Sequence, residues 1–251
     1  MISDGCGYNC FKLADLYQYG QAKSYLYDSF PVQFAVSTYS ASSTPYDPQK
    51  AWESFDFVLS DPTDSAAAGT ALAAGVKTKD GIVGLDPEGS RLTTIIEVAE
   101  ALGKKTGTVT SVPFCHATPA TFLAHVDQRY EYGEIAQQII QVSAADVVMG
   151  CGHPYYDRYG NPADEPNFRY VEDQETWKPL VNNGKGVVPE MEWHSEYHTN
   201  SLVPLFAKGY GSERFAFLAD ELDPVRGFYL DNTEIGLLMI ELLNEQNTKD
   251  R

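Results

Sequence analysis

Ser65 stands near the head of a run of small residues, Thr63-Asp64-Ser65-Ala66-Ala67-Ala68-Gly69-Thr70-Ala71-Leu72-Ala73-Ala74-Gly75. Such a run forms helix readily, and its lack of bulk allows close packing. The helix would begin at Asp64 or Ser65, both good N-cap types. A helix N-terminus offers unpaired N–H groups and a partial positive charge, which suit a phosphoryl group. A serine hydroxyl there can act as a nucleophile and leave its product phosphate held by the helix end. Read alone, the segment is more simply a capped, alanine-rich core helix.

Other segments carry groups that would complement such a serine. Met1-Ile2-Ser3-Asp4-Gly5-Cys6-Gly7 reads as a strand end followed by an acidic turn. In α/β sheets functional residues collect at the carboxyl ends of strands, and a carboxylate there can hold a cation. His116-Ala117-Thr118-Pro119-Ala120 follows the β-branched stretch Thr106–Val112, which places an imidazole and a hydroxyl at another strand end. Arg129 lies further on; its guanidinium could grip a phosphate with two parallel hydrogen bonds, although a lone arginine is more often a solvated surface group. His194 and His198 stand four apart and could share a helix face around zinc, but their neighbours do not read as helix.

The elements that must position these residues alternate along the chain. Thr106–Val112 and Asp146–Met149 read as strands, and Leu202–Ala207 as a strand interrupted by Pro204. Arg91–Leu102, ended by Gly103, Gly133–Ala145, and Asn232–Leu243, capped by Asp231 or Asn232, read as helices. The expected fold is α/β, a layered sandwich with a central, mostly parallel sheet flanked by helices. Residues 20–56 and 152–195 show no sustained periodicity and are read as irregular; the second is long for a loop inside a compact domain.

Composition narrows the function classes. The 251 residues carry a formal charge of -17. Nucleic acid binding is therefore not expected, because it needs clustered Lys and Arg. A phosphate substrate is compatible with this charge where bound cations reverse the local field. No stretch approaches the roughly 20 apolar residues of a membrane span. Cys6, Cys10, Cys115 and Cys151 are too few for a disulfide scaffold in a chain of this size. The opening Met-Ile-Ser-Asp has no basic and apolar signal-peptide pattern, and is read as a mature or trimmed end.

Taken together and in order, several of these motifs resemble the alkaline phosphatases. They are Asp-Gly-x-Gly at the start, the long run over residues 63–78, His-Ala-Thr-Pro-Ala with Ala-His-Val and then Arg129, and His-Thr before Val-Pro-Leu-Phe-Ala. The likeness covers residues 1 to about 150 and about 184 to 245 and reads as one domain over 1–251. It implies hydrolysis of phosphate monoesters through a phosphoserine, with Zn2+ and Mg2+ as cofactors. Ser65 matches the nucleophile, Arg129 the phosphate-binding arginine, and Asp64 the residue that orients it. Asp4, Ser65, Thr118 and His198 match metal ligands, and His116 a position near the third metal. The resemblance also implies a homodimer and a periplasmic or secreted location.

The chain departs from the family's pattern in two places: the first strand is expected to be cut short at Met1, and a central segment is missing. The segments that supply a magnesium-binding glutamate, and an aspartate and histidine for each of two zinc ions, are absent; the gap is expected near 182–185. The alternative is therefore a catalytically impaired or non-catalytic phosphate-binding protein on the same fold. A related diesterase or sulfatase is disfavoured, because those relatives usually place a different nucleophile in the Thr-Asp-Ser-Ala motif.

Overall fold

The computed structural model describes residues 1–21, 26–143, 145–157, 161–182 and 199–249. In chain order the first half holds α1 (Tyr8–Tyr19), β1 (Val32–Ser37), α2 (Pro48–Glu53), α3 (Phe55–Leu59), α4 (Ser65–Ala74) and α5 (Ile95–Ala101). Then come β2 (Gly107–Pro113), α6 (Ala117–Ala120), α7 (Tyr132–Gln137), β3 (Val147–Cys151) and α8 (Gln174–Asn182). The chain closes with β4 (Val203–Ala207), α9 (Phe215–Leu218), β5 (Glu221–Asp223), β6 (Gly227–Asp231) and α10 (Asn232–Lys249).

The α/β class holds, with a mixed arrangement of strands. A four-stranded sheet has the order β4-β1-β6-β5, and β2 and β3 pair separately. The β1–β6 and β2–β3 pairs are parallel, whereas β1–β4 and β5–β6 are antiparallel. Pro204 is accommodated because β4 is an edge strand, where a missing N–H leaves no ladder bond broken.

The two larger apolar clusters among the described residues pack around these strands. One gathers Val83, Phe114, Cys115, Ile135, Val171 and Trp177 with Ala66 of α4 and Ala117 and Ala120 of α6. The other lies where α10 covers the four-stranded sheet, with Val32, Val36, Phe215, Leu230 and Leu238. α4 is buried on nearly every side, which its small side chains permit. Beyond its C-terminal end Lys77 donates to Asp231 at 2.8 Å, to the Tyr39 carbonyl at 2.6 Å and to Asn232 at 3.1 Å. That cation joins the α4 end to β6 and the start of α10.

Several sequence expectations need correction. Met1–Ser3 form no strand; the Asp4-Gly5 turn is present, with Gly5 at φ +69. The stretch 20–56 contains β1, hidden between Ser-, Tyr- and Pro-rich flanks, and α2 and part of α3. Residues 152–195 contain α8, whose pattern Pro179 obscures and whose start is capped by Asp173, accepting from the Thr176 amide at 2.8 Å. The helix expected from Arg91 begins only at Ile95, because Arg91 bridges to Leu85 and Thr94 closes a capping box with Glu97. The helix from 133 ends at Val142, its last turn widened to a π-helix over Gln138–Val142.

The α4–α10 crossing brings backbone against backbone. A Cβ on Gly236 would lie 2.7 Å from both the Ala71 carbonyl oxygen and the Gly75 nitrogen. Helix propensity alone favours alanine there by about 1 kcal/mol. The clash with rigid backbone outweighs it, so Gly236→Ala should lose about 2 kcal/mol of stability in urea denaturation; a stabilised variant would contradict this packing.

Candidate active site

α4 places Ser65 in its first turn. Asp64 is the N-cap, and its carboxylate accepts from the Ala67 amide at 2.9 Å. Ser65 is 9% exposed, and its hydroxyl donates to Asp4 Oδ2 at 2.8 Å. The same oxygen of Asp4 accepts from the Thr118 hydroxyl at 2.9 Å. Thr118 lies in α6, which starts directly after the β2 strand and its turn. Three segments distant in sequence thus converge on one carboxylate oxygen.

The second oxygen of the Asp64 carboxylate serves a different neighbour. Asp64 Oδ2 accepts from Arg129 Nη1 at 2.9 Å and from the Gly81 amide at 3.0 Å. The Arg129 amide in turn donates to the Gly81 carbonyl at 2.8 Å. The cap of the serine helix therefore also aims the guanidinium. This contact occupies one nitrogen of a fork that carries five N–H donors. Arg129 and Asp64 are partly covered, at 21% and 23% side-chain exposure, so the pair is neither a free surface ion pair nor a fully desolvated one.

His116 is the N-cap residue of α6. Its ring stacks on Tyr132, with centroids 5.3 Å apart and planes inclined by 12°, and meets Tyr170 edge-on at 5.8 Å. Burial pushes its pKa down to about 4, helped by the Arg129 and Arg169 guanidiniums and opposed by Asp4. The imidazole is thus neutral near pH 7, the form in which a histidine nitrogen can bind a cation.

Of the residues singled out in the sequence, Asp4, Ser65 and Thr118 form one hydrogen-bonded group and Asp64 and Arg129 another, joined by the peptide bond between residues 64 and 65; the Arg129 and Asp4 charges both act on His116. His194 and His198 lie outside the described residues, as does the expected gap past Asn182. Other participants carried no readable signal. Asp80 accepts from the Asp64 amide at 3.2 Å and from Ser42 at 3.2 Å. Arg169, with its guanidinium 5.3 Å from the Tyr132 ring, sits in a stretch without periodicity.

The sequence matches the alkaline phosphatase family over residues 1–182. The chain belongs to the alkaline phosphatase family. It is 41% identical over 101 residues to alkaline phosphatase 4 of Bacillus subtilis, a stretch that covers 38% of this chain and 22% of that relative. The chain thus spans only about a fifth of that alkaline phosphatase in the matched region. The fold is similar to that of an alkaline phosphatase from the Antarctic bacterium TAB5, with a TM-score of 0.61 at 18% identity over 97% of this chain and 96% of the other. A variant of the TAB5 enzyme with Mg bound in its M3 site aligns with a TM-score of 0.52 at 21% identity, over 98% of this chain and 60% of the other.

Alkaline phosphatases are metalloenzymes, and the residues present fit part of such a centre. The Ser65 and Thr118 hydroxyl oxygens each lie within hydrogen-bonding distance of Asp4 Oδ2, an oxygen set suited to a hard divalent cation. A zinc site of three or four ligands is not assembled: among the described residues no three His, Cys, Asp or Glu side chains gather as a metal-holding group.

Asp64 joins the helix cap to the arginine, and its loss has a measurable cost. Asp64→Ala should lower stability by about 2 kcal/mol in urea denaturation, whereas Asp64→Asn, which keeps a capping oxygen, should lose less than half of that. Equal losses in the two variants would contradict the capping role.

Proposed function

We propose that this chain carries the nucleophile half of a phosphomonoesterase centre, which converts phosphate monoesters to alcohol and inorganic phosphate through a phosphoserine. The observation that carries the reading is the shared oxygen of Asp4, which ties the Ser65 hydroxyl at the head of α4 to Thr118.

In the proposed reaction the Ser65 hydroxyl gives its proton to solvent and Oγ forms a bond to phosphorus in line with the ester oxygen; the bond from phosphorus to that oxygen breaks, and the oxygen takes a proton from water and leaves as the alcohol. Asp4 accepts the hydroxyl hydrogen bond and so fixes the direction of the Oγ lone pairs. Arg129, aimed by Asp64, donates to the non-bridging oxygens as charge builds on them. The free N–H groups of the first α4 turn add to this field. Water then cleaves the phosphoserine and releases phosphate.

Zinc and magnesium are the proposed cations, and when bound they would supply Lewis-acid charge that lowers the serine pKa and stabilises the leaving alkoxide. Asp4, Ser65 and Thr118 are the described groups proposed to hold them, with His116 beside the third metal and His198 assigned from the sequence alone. A periplasmic or secreted location and a homodimer are proposed on family membership. No helix among the described residues is long and apolar enough to cross a membrane.

A non-catalytic phosphate binder is the second reading, favoured by the incomplete zinc ligation among the described residues. Turnover separates the two. With an aryl phosphate, zinc and magnesium, acid quenching should trap phosphate on Ser65. Ser65→Ala should remove the trapped phosphate and reduce turnover to background, and Arg129→Ala should lower kcat/KM about 100-fold. Unchanged turnover in Ser65→Ala would refute the nucleophile assignment.

A further inference from the structure

A cleft of ≈ 600 Å³ opens beside the arginine, lined by Tyr130, Tyr132, Glu134, Arg169 and Glu172. That volume is in the range of small-molecule sites, about 300–1,000 Å³. The cleft shares a wall with the candidate active site, because the Tyr132 ring that lines it is the ring stacked on His116. Tyr130 follows Arg129 directly in the chain, and the Arg129 guanidinium carbon lies 5.6 Å from its ring centroid. The phosphate-gripping arginine and the cleft wall are therefore held by the same stretch of backbone.

The lining has a definite chemical bias. Tyr130 stands perpendicular to Tyr132, with centroids 6.3 Å apart and an angle of 89°. Together they form an aromatic corner, with the Arg169 guanidinium 5.3 Å from the Tyr132 centroid. Tyr130 is 70% exposed, so an incoming ring can cover apolar surface that water now touches. Three carboxylates, Glu131, Glu134 and Glu172, line the cleft against the single cation Arg169. That balance disfavours a second anionic group and leaves planar, uncharged rings as the favoured guests.

We infer that this cleft receives the alcohol side of the ester and selects planar aromatic alcohols over small alkyl ones, with Tyr130 as the specificity-determining residue. The inference rests on the phosphomonoesterase reading above. It assigns Tyr130 no part in the chemical step; the ring acts only on what is esterified to the phosphate.

Non-hydrolysable phosphonates separate the two readings, because they need no turnover. Isothermal titration of the full chain, supplied with zinc and magnesium, would compare phenylphosphonate with methylphosphonate. Phenylphosphonate should bind about tenfold tighter, the size of an aromatic pair contact. Tyr130→Ala should bring the ratio close to one while methylphosphonate affinity stays within about twofold, and Tyr130→Phe should retain the preference. Equal affinities in the parent protein, or a preference that survives Tyr130→Ala, would overturn the subsite and leave the phosphate site standing. Binding of neither phosphonate would overturn the phosphate-site reading and the subsite with it.

Discussion

One oxygen atom governs the arrangement: Asp4 Oδ2 accepts hydrogen bonds from both Ser65 and Thr118. Its segment, the head of α4 and the start of α6 belong to separate parts of the sequence. They meet at an exposed carboxylate, where the Ser65 and Thr118 hydroxyls both donate to the same oxygen. Asp64 divides its two oxygens between the helix cap and the Arg129–Gly81 pair. Two adjacent residues of one helix start thus link to a carboxylate on one side and to a guanidinium on the other.

That geometry depends on how closely the backbone can pack. α4 can sit at the centre only because Ala66, Ala67, Gly69, Ala71 and Ala73 leave room for its neighbours. The Cβ of any larger residue at Gly69 would lie 2.6 Å from the Thr121 hydroxyl oxygen, so the Thr121 side chain would have to give way. On the far side, Gly236 allows α10 to press against the α4 carbonyls. The Lys77 contacts with Asp231 and Asn232 then anchor the end of the helix to the four-stranded sheet. Small residues at the crossings and the half-buried Lys77 thus hold the helix that carries the serine, and the Asp4 oxygen fixes its hydroxyl.

Much of this was legible in the sequence where local chemistry and global structure agree. The Thr63–Gly75 run encodes a capped, close-packed helix, and Asp64 caps it as its type requires. The strands β2 and β3 are rich in β-branched and apolar residues, and Gly103, at φ +70, marks the turn after α5. What stayed hidden depended on distant partners. β1 is short and is defined by its ladders to β4 and β6. Tyr132 and Arg169 acquire their roles from the His116 stack and the cleft, which no spacing along the chain announces. The mixed strand directions likewise follow from which segments pair, and runs of apolar residues do not record pairing.

The proposed roles require Ser65 and Arg129 to address one phosphoryl group. A crystal structure of the protein with orthovanadate, zinc and magnesium tests it most directly, because vanadate takes up the five-coordinate geometry of the transferring phosphoryl group. The account predicts vanadium in covalent reach of Ser65 Oγ, with its equatorial oxygens accepting from the Arg129 guanidinium. Vanadate bound elsewhere, or bound with Ser65 and Arg129 turned away from it, would contradict the account.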